Sequence, residues 1–228
     1  MSKSLPTLLC SLFFFLNQSI AQEKTILNNE FSIKYQYNSF LDSYDNYFKG
    51  GNGIHLQFAR RIQEFDELGD KGSLKWGANF GYSSANKIQD VFYYKDLGLT
   101  GSTTDSYISF SNLTIITFTG QLQLNLVLAD KIEGYAAIET GYYALLYSYE
   151  DVDGSFSSSG ISEIGRGAIV PKVGFSYSLT DNIAITADFT YNLHYALGSS
   201  FSFFTSSLIP SSTFNHFYTL AMGTTFKF

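Results

Sequence analysis

Apolar and polar residues alternate with a period of two along most of the chain, the signature of strands with one apolar and one wet face. Phe31, Ile33, Tyr35 and Tyr37 alternate with Ser32, Lys34, Gln36 and Asn38. Ile54, Leu56 and Phe58 alternate with His55, Gln57 and Ala59, and Leu74 to Tyr82 repeats the pattern around Lys75, Gly77, Asn79 and Gly81. The cleanest run sets Ile116, Phe118, Leu122, Leu124, Leu126 and Leu128 against Thr117, Thr119, Gln121, Gln123 and Asn125. Between Ile132 and Tyr147 both faces are fairly apolar, with Ala136, Ile138, Tyr142, Ala144 and Leu146 opposing Glu139, Gly141 and Tyr143. Three further runs lie at Val173–Leu179, Ile183–Leu193 and Tyr218–Phe228. Eight strands are predicted.

Their connections alternate in length. Gln63 to Lys71, Ala129-Asp130-Lys131 and Thr180-Asp181-Asn182 are short or compact, whereas residues 39–52, 83–107, 149–166 and 196–213 are long. An up-and-down meander with loops on one side of a membrane and tight turns on the other produces this order. A soluble lipocalin-like barrel or sandwich would turn its apolar face inward. Here the opposite set carries the charges, too polar for a dry core, and the apolar set is too uniform to face water. After residue 21 no apolar stretch approaches the length of a spanning helix, so a membrane reading requires a closed barrel with every backbone group paired. The expected fold is all-β: an eight-stranded antiparallel up-and-down transmembrane β-barrel with long extracellular loops and short periplasmic turns.

A barrel of eight strands has an interior just wide enough for side chains. The phase sends Lys34, Arg61, Lys75, Glu139, Lys172, Asp188 and His194 inward, together with glutamines and asparagines. An unpaired buried charge is very costly, so these groups must pair. The expectation is a polar, charged network that fills the lumen. A narrow porin-like channel for small solutes, with the same residues as lining, is the alternative that the phase leaves open.

Composition supplies the address. Lys3, the apolar run from Leu5 to Leu16 and the small residues around Ala21 read as a cleaved secretory signal peptide over residues 1–21, with the barrel domain over 22–228. A lipid-modified Cys10 is disfavoured because Leu9 precedes it where a small residue is wanted and the apolar run continues past it. Cleavage would remove this single cysteine, and with it any disulfide or thiolate metal site. Losing Lys3 leaves 13 basic residues from the 14, against 20 acidic ones. That balance argues against a nucleic-acid partner. Charged residues make up only 15% of the chain and aromatics 18%, a ratio that suits a barrel girdled by Tyr and Phe at the lipid interfaces.

The terminal stretch from Leu220 to Phe228 (LAMGTTFKF) resembles the insertion signal of outer-membrane proteins, with Phe226 and Phe228 as its aromatic positions. The hairpin from Val173 to Leu197, with its Leu-Thr-Asp-Asn turn, resembles the penultimate hairpin of OmpX-, OmpA- and PorT-type barrels. Residues 126–146 resemble the central hairpin of the PorT-like barrels of Bacteroidota. These segments cover about a quarter of the chain. The resemblance implies an outer-membrane address, contact with outer-membrane lipid and lipopolysaccharide, and recognition of the C-terminal strand by the barrel-assembly machinery. It implies little about activity, because those families mix adhesins, assembly factors and uncharacterised members.

Catalysis and metal binding have thin support. His194 and His216 fall near the outer ends of the last two strands, beside a serine-rich loop, but their phase points one inward and the other outward. A lipid A-modifying enzyme would need them to converge with a nucleophile or carboxylate. Asp42 with Asp45, and Asp151 with Asp153, share loops without the remaining ligands of a calcium site. No enzyme activity, cofactor or metal is therefore expected. The loops are the expected place for contact with an extracellular protein or ligand, the last one carrying Phe201, Phe203, Phe204, Leu208 and Ile209 among serines.

Overall fold

Alternation of this kind folds into ten strands in the computed structural model, which describes residues 28–41, 43–65, 72–97, 103–151, 160–196 and 214–228. They are β1 (Asn29–Phe40), β2 (Phe48–Phe65), β3 (Gly72–Lys87), β4 (Phe92–Leu97), β5 (Thr103–Phe110), β6 (Leu113–Ala129), β7 (Ile132–Asp151), β8 (Gly160–Ser178), β9 (Ile183–Ala196) and β10 (Phe214–Lys227). Eight of them close an antiparallel barrel in the order β1-β2-β3-β6-β7-β8-β9-β10, while β4 and β5 form a hairpin on β7 beyond the ring. The seam between first and last strands is fully registered, from Glu30 opposite Lys227 to Phe40 opposite Phe217. Its end is clamped by Asn29 N donating to Phe228 O at 3.0 Å and Phe228 N donating to Asn29 O at 2.9 Å. Closure leaves the ring no free edge, which a hydrocarbon environment demands.

The register also fixes the shape. Partners followed round the ring lead from Glu30 through Ala59, Gly77, Gln121, Glu139 and Val170, then Asn192 and Phe217, and return to β1 at Phe40, ten residues further on. Such a stagger in eight strands calls for a tilt of about 40°. The outward face then carries an apolar belt about 25 Å tall. Phe31, Phe58, Trp76, Phe175 and Phe226 lie near the end with the tight turns, and Tyr35, Tyr37, Tyr82, Tyr142 and Tyr218 near the loop end. Between them Ile33, Leu122, Ile138, Val173 and Met222 are all exposed.

Two backbone features shape the wall. A Cβ on Gly223 would lie 1.9 Å from Ile33 O and 2.5 Å from Lys34 Cα, so only glycine lets β10 approach β1 this closely. Pro171 faces outward in the middle of β8, where the β8–β9 register passes from Ile169↔Leu193 directly to Lys172↔Thr190. Proline has no N–H, so the wall forgoes one ladder bond there.

The long connections differ from the expectation. Much of what reads as loop is strand: β1 runs on to Phe40, β3 to Lys87 and β7 to Asp151, and the second connection contains the β4–β5 hairpin. The reason is a reversal of polarity. Beyond Tyr37 and Asn38 the inward residue becomes Phe40 and the outward one Ser39; likewise Ser84 follows Tyr82 on the outside while Ala85 is buried inside. The strand continues after its lipid-facing pattern has ended. Residues 1–21, Asp42, Asp153 and the last loop over 197–213 lie outside the described residues.

Gly223→Ala is expected to destabilise the folded barrel by about 2 kcal/mol or more through forced separation of the seam. Gly120→Ala, whose Cβ meets nothing nearer than Gly77 O at 3.9 Å, is expected to be neutral. Urea unfolding in lipid vesicles followed by heat-modifiable gel migration measures both.

Candidate functional site

Inside the belt the side chains form stacked layers. Nearest the tight turns, Lys75 Nζ donates to Glu30 Oε1 at 2.7 Å and approaches Glu133 Oε2 at 3.9 Å, while Lys227 Nζ reaches Glu133 Oε1 at 3.2 Å. At mid-height lie two ion pairs, one between β1 and β9, which are not neighbours in the ring, and one between the neighbouring strands β7 and β8. Lys34 on β1 pairs with Asp188 on β9 and donates to Gln57 Oε1 at 2.7 Å. Lys172 on β8 pairs with Glu139 on β7 and donates to Gln121 Oε1 at 3.1 Å; Thr119 Oγ1 donates to Glu139 Oε2 at 2.9 Å. Amides bind the layers together, for example Gln123 Nε2 to Asn125 Oδ1 at 2.8 Å.

Above them a neutral chain spans the lumen. Tyr143 OH donates to Asn192 Oδ1 at 2.8 Å, Asn192 Nδ2 to Thr219 Oγ1 at 2.9 Å, Thr219 Oγ1 to Asn38 Oδ1 at 2.7 Å, and Asn38 Nδ2 to Ser83 Oγ at 2.8 Å. Among the described residues two small cavities of about 20 Å³ each lie in the lumen, one at mid-height and one among the lower ion pairs. That is room for on the order of one water apiece.

The outer end of the lumen is apolar. Phe40, Phe48, Phe110, Leu113, Ile115, Leu145, Tyr147 and Phe217 form one buried cluster, completed by Phe92 and Ile108 from the β4–β5 hairpin. Edge-to-face contacts run through it, with Phe92 and Phe110 at 5.2 Å and Phe110 and Tyr147 at 5.8 Å between ring centres. The reading of the lumen as polar throughout is therefore corrected for this part: beyond the belt the barrel is built like a water-soluble one, apolar within and polar without.

Lys34, Lys75, Glu139, Lys172 and Asp188 all lie in the interior, each in an ion pair. His194 is buried beneath the apolar cluster, its ring 4.4 Å from that of Tyr143 and 4.9 Å from that of Phe217. Arg61 stands in register opposite Lys75 on the inward face, but at the turn-side rim, a quarter exposed, where it pairs with Glu64 and not with a lumen carboxylate. Phe226 and Phe228 face outward. His216 also faces outward, beside Tyr191 with ring centres 5.7 Å apart, so it does not meet His194. Among the described residues no group of three or more His, Cys, Asp or Glu is placed to hold a metal ion.

Sequence reasoning missed Glu30, Glu133 and Lys227 as network members, and Arg166, which is almost wholly buried near the apolar cluster. The first three share parity with the inward set: Glu133 and Lys227 fall within runs already identified, and extending the first run by one residue reaches Glu30. Arg166 falls within a stretch that reads as loop.

No protein-family model and no curated protein matches the chain. Solved structures do resemble it. A major outer membrane protein from Thermus thermophilus is 16% identical, with 88% of this chain and 99% of that one covered and a TM-score of 0.51. Neisserial surface protein A is 12% identical, with coverage of 88% and 97% and a TM-score of 0.48. Ail, the attachment invasion locus protein of Yersinia pestis, is 13% identical, with coverage of 88% and 99% and a TM-score of 0.46. The likeness to the Thermus protein shows the fold: a β-barrel of the outer-membrane kind.

Lys172→Met and Glu139→Leu are each expected to cost about 3–5 kcal/mol, because each leaves its partner charged and buried. The double variant is expected to cost clearly less than the two added. A double-mutant cycle in vesicle unfolding reads the difference.

Proposed function

We propose that this chain is an integral outer-membrane protein with a structural or surface-interaction role, its tight turns in the periplasm and its loops and β4–β5 hairpin outside the cell. Export follows from a leader over residues 1–21, cleaved before Gln22, and insertion from the C-terminal strand ending in Phe226 and Phe228, which engages the barrel-assembly machinery. The observation that carries the reading is the occupied lumen. Four lysines and four carboxylates are matched within it, and an apolar cluster closes its outer end. A conducting pore needs a continuous wet path with sites an ion can enter and leave. Tightly paired charges under an apolar lid supply neither. Recognition is then left to the outer surfaces: outer-membrane lipid and lipopolysaccharide against the wall, and an extracellular protein or ligand at the loops.

In planar bilayers the refolded protein is expected to give no discrete open-channel steps. Recurrent steps of fixed size would overturn the closed-lumen reading in favour of a narrow channel. The address has its own check. Cell fractionation should place the protein in the outer membrane, and intact mass should begin at Gln22; mature protein that stays in solution without detergent would defeat the membrane reading.

A further inference from the structure

Beyond the belt most outward residues are polar, yet the β4–β5 hairpin presents two large rings. Tyr93 and Tyr107 face each other across the strands, 56% and 45% exposed, with ring centres 5.7 Å apart. Their chain neighbours Phe92 and Ile108 are buried in the apolar cluster, so the hairpin is pinned and the tyrosines are held outward. Val91 adds an exposed apolar side chain beside them.

Height identifies what meets this surface. Ile108 is paired with Asp151, nine residues along β7 from Tyr142 in the loop-side girdle. At about 3.3 Å per residue and the tilt given above, the tyrosine pair stands roughly 20 Å past the girdle. The polar zone of an ordinary phospholipid leaflet extends only about 5–7 Å beyond the hydrocarbon. A lipid that reaches the pair must carry a saccharide. The surface is also continuous with the lipid-facing wall, through Ser84 and Asn86 above Tyr82.

We infer that Tyr93 and Tyr107, their rings set edge to face at 62°, form an aromatic platform whose exposed ring faces take the core sugars of the surrounding outer-leaflet glycolipid; the inference rests on the outer-membrane reading above. The electron-rich face of a phenol ring attracts the C–H groups along one face of a pyranose. Glu150, paired in register with Ser109 and exposed on the same wall, is placed to accept hydrogen bonds from sugar hydroxyls. Lys87 and Asp90 at the foot of the hairpin pair with each other at 3.1 Å, so the lysine is already engaged and the chemistry favours sugar over phosphate.

Full-length mature protein in detergent micelles is titrated with core oligosaccharide released from rough-type lipopolysaccharide, and saturation transfer to the sugar protons is recorded. Transfer is expected with the wild type and with Tyr93→Phe/Tyr107→Phe. The apparent affinity should fall about ten-fold in Tyr93→Ser/Tyr107→Ser. Tyr107→Thr alone gives an intermediate loss and serves if the double serine variant fails to fold. Absence of transfer to the wild type, or equal transfer to the serine or threonine variant, overturns the inference. So does tyrosine-dependent dimerisation by light scattering, which would make a second copy the occupant. Heat-modifiable migration is measured on the same samples: its loss in the wild type would strike at the outer-membrane reading itself, whereas a folded barrel that ignores the oligosaccharide strikes only at the platform.

Discussion

Eight strands staggered by ten residues enclose a space only one side chain deep from each wall, and the rest of the molecule follows from having to fill it. The belt forces apolar residues outward, so the inward positions at that height go to polar groups by alternation alone. Those groups cannot keep water around them in so narrow a tube. They must satisfy one another, and they do so between strands, Lys172 with Glu139 on the neighbours β8 and β7 and Lys34 with Asp188 from β1 to β9. Lys34 and Asp188 sit on strands distant in sequence, which ties their pairing to closure of the whole ring.

The same constraint acquires the opposite sign where the strands leave the lipid. Water on the outside and a narrow interior favour apolar side chains within, and the chain supplies Phe40, Leu113, Leu145 and Phe217 at inward positions that lower down carry Asn38, Thr117, Glu139 and Thr219. One continuous set of strands therefore joins two cores of different chemistry. Asn38, Asn192 and Thr219 lie at their junction, a neutral hydrogen-bonded layer between charges and rings.

Strand number, phase and the inward placement of Lys34, Lys75, Glu139, Lys172 and Asp188 were legible in the sequence because a lipid-facing strand has only two faces. For Arg61 alternation gave the face, opposite Lys75, but not its place at the rim beside Glu64, since the period carries no information on height. The outer core was not legible: at Ser39 and Phe40 the period persists while the apolar parity changes, so a reading that tracks apolar residues outward takes the change for a loop. The β4–β5 hairpin, with Phe92 and Ile108 folded over the lumen, belongs to the same blind spot.

A closed wall is only as strong as its weakest ladder, and the junction of the chain ends is not that place. The β1–β10 seam keeps its register from end to end, whereas Pro171 interrupts the β8–β9 pairing within the belt. Thermal breathing of the ring then has a preferred side, away from the termini, where two neighbouring strands need to surrender one bond fewer before they part.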